Sequence, residues 1–294
     1  MENIKISKIC GLCEGCKNVI ETTKAQLNKG KNVTLFKEVV HNKNANKFLN
    51  DLGAKIKTEL TELNSNELVI IRAHGEPPKT FEYLNENRIK FKDCTCPNVK
   101  KIHNSTQEFM LKGYKIIIVG KQKHPEVVGT QGWCLGGAIV IETENDLEQL
   151  NEIKNDKLHL VCQTTFNSSK FDELEQKITE IAKQNNCELS VNKTICNAQK
   201  LINLYAVELA KESDIMIVVG GKNSSNSVEL FKNVSYYCPS IFIEDIYTYA
   251  QELEANSIKI NKTTRIGITA GASTLKEELI ELKKLIESDL NKIN

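Results

Sequence analysis

The sequence of 294 residues lacks an excess of either charge, since 39 Lys and Arg residues stand against 38 Asp and Glu residues. This balance provides neither the basic surface that binds nucleic acid nor an acidic tail. No segment approaches the roughly 18 consecutive apolar residues of a membrane-spanning helix. The first five residues, Met-Glu-Asn-Ile-Lys, contain no apolar signal region. We therefore expect a cytoplasmic protein that binds neither nucleic acid nor a membrane.

Linkers rich in proline, glycine or serine are also absent, and so are low-complexity tracts. Hydrophobic residues make up 40% of the chain and charged residues 26%, which excludes a disordered protein. At about 100–200 residues per domain, the length accommodates two or three domains. A large core is therefore available without covalent cross-links.

What the chain does contain is an alternation of short Ile- and Val-rich runs with helical patterns along its whole length. Such continuous apolar runs are typical of parallel strands that are covered on both faces. The sequence predicts an α/β fold with mostly parallel sheets. The predicted strands are 68–71, 115–119, 138–141, 158–161, 214–219, 240–243 and 265–269, with further candidates at 4–9, 32–40 and 90–93.

A threefold organisation is visible in this pattern, because each third of the chain contains two strands that end in polar residues. Ligands bind beyond the carboxyl ends of strands in open α/β sheets. Six such strand tips, two in each third, are enough to line one central cavity. The tips begin near His41, His74, Lys121, Gln163, Lys222 and Ala270.

Ten cysteines are many for a protein of a reducing compartment, where thiols act as metal ligands or catalytic groups more often than they form disulfides. One cysteine opens each third: Cys13, Cys96 and Cys196. Three thiolates can hold a 4Fe–4S cluster and leave its fourth iron open for chemistry on a substrate. Two alternatives remain. In the first, Cys10, Cys13 and Cys16 form a C-x₂-C-x₂-C run of the ferredoxin type. In the second, most cysteines are structural, as for Cys94, or small buried hydrophobic residues, as for Cys134, Cys162, Cys187 and Cys238.

The segment 222–227 precedes a helix that is predicted to start near Val228, and helix N-termini bind phosphate groups. The alternative is ordinary helix capping by Asn226 and Glu229. For the last tip, Thr274 and Glu277 are predicted to form a capping box, which leaves the Ser273 hydroxyl free to face a ligand.

Three of the five histidines, His41, His74 and His124, lie at strand tips, and imidazoles with hydroxyl groups suit a diphosphate held by hydrogen bonds. His103 and His159 are interpreted as structural. Glu126 lies in the first turn of a helix that is predicted to start at Pro125. It either complements the helix dipole or donates a proton at the rim of the cavity. Thr164 is a candidate hydroxyl relay, although most threonines at strand ends have no such role.

Taken together, the strand tips resemble those of the 4-hydroxy-3-methylbut-2-enyl diphosphate reductase family, which acts last in the methylerythritol phosphate pathway to isoprenoids. The match runs from Cys13 to Ser273, nearly the full chain. Each motif is weak alone, but seven in this order are highly specific. The motifs are Glu38-Val39-Val40-His41-Asn42, Ala73-His74-Gly75, Thr95-Cys96-Pro97, His124-Pro125-Glu126-Val127, Gln163-Thr164-Thr165, Lys222-Asn223-Ser224-Ser225-Asn226-Ser227 and Ala270-Gly271-Ala272-Ser273.

The resemblance implies three α/β domains around a pseudo-threefold axis and a central cavity, at 14–95, 96–194 and 195–294, with a strand from 1–13 packed on the third. It implies a central 4Fe–4S cluster on Cys13, Cys96 and Cys196, with one open iron. Glu126 is then the proton donor and Thr164 lies near the substrate hydroxyl. The diphosphate is then held by His41, His74, His124, Ser224, Ser225, Asn226 and Ser273.

The implied reaction removes the allylic hydroxyl of (E)-4-hydroxy-3-methylbut-2-enyl diphosphate with two electrons and two protons, and yields isopentenyl and dimethylallyl diphosphates and water. Reduced ferredoxin or flavodoxin is the implied electron donor. The chain departs from the family pattern around Cys13 and after Cys196, where Gln199, Ile202 and Asn203 replace usual residues. The alternatives are a redox-neutral hydro-lyase with a 4Fe–4S cluster, a cluster-bearing electron carrier or redox sensor, and a cluster-free protein that binds a phosphorylated ligand.

Overall fold

The computed structural model describes residues 3–38, 43–135, 137–272 and 274–292. Along these residues strands alternate with helices, and short 3₁₀ segments lie at Leu60–Glu62, Glu144–Leu150 and Ile246–Thr248. The strands are β1 Ile4–Ile6, β2 Val33–Phe36, β3 Lys55–Lys57, β4 Leu68–Ile71, β5 Lys90–Asp93, β6 Lys115–Val119, β7 Ile139–Ile141, β8 Lys157–Cys162, β9 Glu188–Asn192, β10 Ile215–Val219, β11 Ser240–Ile243 and β12 Ile266–Ala270. The helices are α1 Glu14–Leu27, α2 Lys43–Asp51, α3 Pro78–Glu86, α4 Pro97–Leu111, α5 Pro125–Trp133, α6 Ser168–Gln184, α7 Asn197–Glu212, α8 Ser225–Ser235, α9 Tyr249–Ala255 and α10 Lys276–Lys292.

The strands form three four-stranded sheets whose pairings are all parallel, in the orders β3-β2-β4-β5, β7-β6-β8-β9 and β11-β10-β12-β1. Apart from β1, the strand in the second position of each sheet comes first along the chain. The next strand pairs on one side of it, and the remaining two positions lie on its other side. In the third sheet the fourth position is taken by β1 from the beginning of the chain. The predicted α/β class with parallel sheets is confirmed.

By contacts between Cα atoms, the chain divides into two units. Unit 1 comprises residues 1–24, 40–54 and 197–294 and contains the sheet β11-β10-β12-β1. Unit 2 comprises residues 25–39 and 55–196 and contains the other two sheets. The three-domain boundaries and the pseudo-threefold arrangement stay predictions.

The core of each sheet consists of the apolar side chains that the sequence pattern indicates. In unit 1, strand residues such as Ile217 and Ile268 pack with Leu282 and Ile286 of α10. In unit 2, β8 and β6 pack on α6 through residues such as Phe171. Burial on both faces explains why these strands have little polar alternation. None of the helices in the described ranges is long and apolar enough to cross a membrane.

Two strands escaped prediction, β3 with the sequence Lys-Ile-Lys and β9 with the sequence Glu-Leu-Ser-Val-Asn. Both are edge strands and both expose part of their residues, so they lack the continuous apolar run on which the other predictions depended. The candidate strand at 32–40 is shorter than predicted, since β2 ends at Phe36.

Candidate functional site

Three turns of the molecule share one main-chain plan. In each of them a half-buried cysteine directly precedes a helix, and its N–H donates to a carbonyl two residues beyond the end of a strand. We call them the Cys13, Cys96 and Cys196 corners. The hydrogen bonds run from Cys13 to Ala272 at 3.1 Å, from Cys96 to Ala73 at 2.9 Å and from Cys196 to Thr164 at 2.8 Å. The accepting strands, β12, β4 and β8, occupy the same place in the order of their sheets.

The Cys13 corner stabilises a thiolate. The thiol of Cys16 donates to the Cys13 sulfur, and the backbone N–H groups of Gly15 and Cys16 add further hydrogen bonds. These donors outweigh burial and lower the pKa of Cys13 to about 6. A helix N-terminus favours negative charge for the same reason, because its first N–H groups have no partner within the helix.

The Cys196 corner obtains its donor from another corner of unit 2. The amide Nδ2 of Asn98 donates to the Cys196 sulfur at 3.3 Å. Asn98 is the second residue of α4, whose N-cap is Cys96. Cys196 is thus linked to the turn that holds Cys96, and Asn98 is a functional candidate that sequence reasoning missed. Its only signal was its place two residues after Cys96.

The thiols of the neighbouring cysteines Cys10 and Cys16 make other contacts. The Cys10 thiol donates to the carbonyl of Ser7 at 3.2 Å, and burial raises its pKa to about 11. The thiol of Cys16 donates its hydrogen bond to the sulfur of Cys13. These contacts do not favour a ferredoxin-type site on the C-x₂-C-x₂-C run. Among the cysteines interpreted as buried hydrophobic residues, Cys94, Cys134 and Cys162 are buried, whereas Cys187 and Cys238 are only half-buried.

Glu126 and Thr164 form a buried pair in unit 2. The backbone N–H of Thr164 donates to Oε1 of Glu126 at 2.6 Å, and the Thr164 hydroxyl donates to Oε2 at 2.7 Å. Glu126 is only 2% exposed, and burial raises its pKa to about 7 despite these two bonds. A carboxyl group with such a pKa carries its proton about half of the time at neutral pH, as a general acid requires. Burial argues against a role limited to the helix dipole.

Two of the three candidate histidines are close together. The rings of His74 and His124 meet edge to face with centroids 5.4 Å apart. His124 is the N-cap of α5, and its Nδ1 accepts the N–H of Glu126 at 3.2 Å. Unit 2 thus brings an imidazole from the tip of β4 next to an imidazole from the tip of β6, where the carboxyl group of Glu126 also lies.

His103 and His159, which the sequence analysis interprets as structural, are both buried. His159 lies between the hydroxyl groups of Ser105 and Ser190, at 2.9 and 3.1 Å, and stacks on Phe109. Burial lowers the pKa of both histidines to about 4, so both are neutral near pH 7.

The serine-rich tip of unit 1 differs from the prediction in its capping. Helix α8 begins at Ser225 and not near Val228, and its N-cap is Ser224, whose hydroxyl accepts the N–H of Ser227 at 3.4 Å. The prediction that Asn226 caps this helix is therefore wrong. Asn226 instead accepts the amide of Gln199 on its backbone carbonyl at 3.3 Å. The helix N-terminus lies directly at this tip, as anion binding requires.

The predicted capping box of the last tip is also wrong. Helix α10 begins at Lys276, so Leu275 and not Thr274 occupies the position before it. The Thr274 hydroxyl donates to the carbonyl of Val219 at 3.3 Å and is fully buried. The candidates His41 and Ser273 lie outside the described residues, and the side chain of Ser225 is likewise not described.

Comparison with known proteins decides the family. The chain matches the LytB protein family over residues 4–287. The chain belongs to the LytB protein family. It is 38% identical over 273 residues to the 4-hydroxy-3-methylbut-2-enyl diphosphate reductase of Clostridioides difficile, covering 92% of this chain and 94% of that protein.

Two solved structures of the LytB family agree with this result. A structure of (E)-4-hydroxy-3-methyl-but-2-enyl diphosphate reductase, described as the terminal enzyme of the non-mevalonate pathway, has a TM-score of 0.78 at 32% identity, with 97% of this chain and 99% of that chain covered. The Plasmodium falciparum E-1-hydroxy-2-methyl-but-2-enyl-4-diphosphate reductase has a TM-score of 0.81 at 26% identity, with 96% and 87% covered. The resemblance inferred from the seven motifs is confirmed, and so is the assignment of the chain to an oxidoreductase family.

LytB proteins are iron–sulfur enzymes, and the donor set of this chain fits such a group. Three half-buried cysteines lie at helix N-termini, where backbone N–H groups favour the thiolate that iron requires. Within the ranges that the structure describes, no three His, Cys, Asp or Glu side chains form a group able to hold a metal ion. Cys13 belongs to unit 1 and the other two to unit 2, so their convergence on one cluster stays a prediction.

Proposed function

We propose that the chain removes the allylic hydroxyl of (E)-4-hydroxy-3-methylbut-2-enyl diphosphate by two electrons and two protons. The C–O bond breaks, the oxygen leaves as water with one proton, and the second proton ends on carbon. The products are isopentenyl and dimethylallyl diphosphates. The observation that carries this proposal is the continuous link from the Cys196 N–H to Thr164 and from Thr164 to the Glu126 carboxyl.

In this proposal Cys13, Cys96 and Cys196 hold a 4Fe–4S cluster that has one iron without a protein ligand. When bound, the cluster supplies electrons and a Lewis-acidic iron. The electrons come from a small redox protein of the ferredoxin or flavodoxin type in the cytoplasm. The repeated corners support the ligand set, because each cysteine is fixed by the same main-chain bond to a tip that carries a substrate candidate.

Glu126 stores the proton and Thr164 relays it. Because the pKa of Glu126 is about 7, the carboxyl group is protonated for a large fraction of the time near neutral pH. In the ionised state the Thr164 hydroxyl donates to Oε2 of Glu126. When the carboxyl is protonated this bond reverses, and the Thr164 hydroxyl is left to donate to the leaving oxygen of the substrate. The water-poor surroundings of the pair keep the proton from being lost to solvent.

The diphosphate is bound by the imidazoles and the serine-rich tip. His74 and His124 lie side by side in unit 2, and His41 joins them in the proposal. Ser224, Ser225, Asn226 and Ser273 contribute hydroxyl and amide groups, and the N-terminus of α8 adds backbone N–H donors. Neutral donors of this kind hold a diphosphate without a dense lysine and arginine cluster.

An anaerobic assay tests this proposal. The purified protein receives the hydroxylated diphosphate and a measured amount of a reduced viologen dye, and oxidation of the dye is compared with product formation. We expect two electrons to be consumed for each molecule of product. Product that forms without oxidation of the dye would show a redox-neutral hydro-lyase. A cluster that cycles between oxidation states but never turns over the diphosphate would show an electron carrier.

A further inference from the structure

One buried carboxylate, that of Glu76, has no part in the chemistry described above. Glu76 follows the tip of β4 and is only 1% exposed. It pairs at 2.8 Å with Lys37 and at 2.8 Å with Arg72. A buried ion pair of this kind adds little net stability compared with an apolar core, so stability alone does not explain its presence here.

The first cation of this group belongs to the tip of the neighbouring strand. Lys37 directly follows β2 and has a φ of 66°, which is unusual for a residue other than glycine. Its N–H donates to the carbonyl of Lys57 at 2.7 Å, and its ammonium group reaches Glu76. The ion pair with Glu76 therefore ties the end of β2 to the segment that follows the His74 tip.

The main chain of Glu76 ties the same tip to α5. The indole N–H of Trp133 donates to the carbonyl of Glu76 at 3.0 Å. Helix α5 also packs against this segment without a gap, since a Cβ added to Gly132 would lie 2.4 Å from Cβ of Pro77. The N-cap of α5 is His124, and its first turn carries Glu126. Glu76 thus contacts the elements that carry His74 and His124.

We propose that Glu76 is a positioning residue that holds the His74 and His124 segments in the arrangement that binds the diphosphate. This inference rests on the proposed function. The carboxylate restrains Lys37 on one side and Arg72 on the other, while its carbonyl restrains α5. Histidines that are held in place before the ligand arrives lose less conformational freedom on binding.

The decisive experiment compares Glu76→Gln with Glu67→Gln in the anaerobic holoenzyme. Glu67 is a matched control, because it is also buried, pairs with Lys57 at 2.8 Å and accepts the Thr34 hydroxyl, but it precedes β4 at the opposite end of the same strand. For Glu76→Gln we expect the Kd of inorganic diphosphate, measured by calorimetry, and the KM of the substrate each to rise roughly tenfold, with kcat within about threefold of the wild type. For Glu67→Gln we expect both values to remain near those of the wild type.

A second variant keeps the inference testable if Glu76→Gln does not fold. Lys37→Met removes a half-exposed cation and leaves the Glu76 side chain in place, and it should raise the same Kd and KM in the same direction. If the wild type turns over the substrate and Glu76→Gln leaves Kd and KM unchanged, the inference is overturned. If Glu76→Gln does not fold, unchanged Kd and KM in Lys37→Met overturn it instead. A wild type that neither binds inorganic diphosphate nor reduces the substrate would instead overturn the proposed function.

Discussion

The Cys13 corner of unit 1 and the Cys196 corner of unit 2 have the same main chain but different surroundings. In both, a cysteine before a helix donates its N–H to the tip of the third strand of its sheet order. The sulfur of Cys13 accepts from a thiol one helical turn away, whereas the sulfur of Cys196 accepts from the amide of Asn98 on a different helix. The repeated main chain therefore fixes the position of each cysteine, whereas the side chain that donates to its sulfur differs between the two corners.

The two corners also differ in what their strand tips carry. The tip at the Cys13 corner leads from Ala272 to Ser273, a diphosphate candidate. The tip at the Cys196 corner is Thr164, which holds the buried carboxyl group of Glu126. Under the proposed function, one copy of the motif binds the anion and another delivers the proton. The following changes test that division.

The largest effect is expected from loss of a corner cysteine. Cys196→Ser removes one thiolate ligand, so we expect iron and sulfide content to fall severely and turnover to fall below detection. Cys187→Ser is the matched control, since Cys187 precedes β9 as Cys196 follows it and its thiol donates to the carbonyls of Ile153 and Asn185. Anaerobic iron and sulfide analysis checks both. Full cluster content in Cys196→Ser would refute the corner as a ligand site.

Glu126→Gln should come next. The amide cannot donate a carboxyl proton, so we expect turnover to fall on the order of 10²-fold while the iron content stays unchanged. Glu142→Gln is a suitable control, because Glu142 is half-buried and its carboxylate accepts the N–H of Gln122, which lies on the same strand tip as Glu126. Steady-state rates with a reduced dye measure the effect. Near-normal turnover in Glu126→Gln would remove Glu126 from the proton path.

The sequence names candidate residues where a local pattern marks them, and it misses residues whose role depends on a distant partner. Glu126, Thr164 and the three corner cysteines each lie beside a strand tip in the chain, so local pattern and family resemblance found them. Asn98 was missed because its partner, Cys196, is 98 residues away. Glu76 was missed for the same reason, since its role depends on contacts with Lys37 and Trp133 that no periodicity encodes.

The fold was predicted to a similar extent. Strands β4, β5, β6 and β11 have the bounds that the sequence predicts. Buried apolar runs mark β4 and β6, whereas β5 alternates exposed and half-buried residues. The edge strands β3 and β9 contain polar residues and depend on pairing with a neighbour, so no apolar run indicates them. Helix caps were also predicted poorly, as Ser224 and Thr274 show, because several serines and threonines compete for each helix start.

A smaller effect is expected from the side chains that touch the two sulfurs. Asn98→Leu removes the donor to Cys196, and Cys16→Ala removes the donor to Cys13. Each loses one hydrogen bond to a negatively charged group, which we expect to increase the rate of cluster loss in air several-fold. The decay of the visible absorbance measures that rate. Equal stability of both variants and the wild type would show that the main-chain plan alone holds the cluster.

The smallest effect concerns stability against pH. The pKa of Glu126 is raised from an ordinary value near 4.5 to about 7, so the native state binds more protons than the unfolded state between these values. The free energy of unfolding contributed by Glu126 therefore falls as the pH rises through this window. Glu126→Gln cannot ionise and should lack this fall. Urea midpoints of both proteins between about pH 5 and about pH 8 check this difference, and parallel curves would contradict the raised pKa.

Mössbauer spectroscopy of ⁵⁷Fe-labelled protein, prepared without oxygen and measured with and without the hydroxylated diphosphate, tests most directly whether three corners hold one cluster. We predict that one iron in four differs from the rest and that the diphosphate changes the spectrum of that iron alone. Four irons that all have cysteine-like parameters and do not respond to the diphosphate would contradict the account.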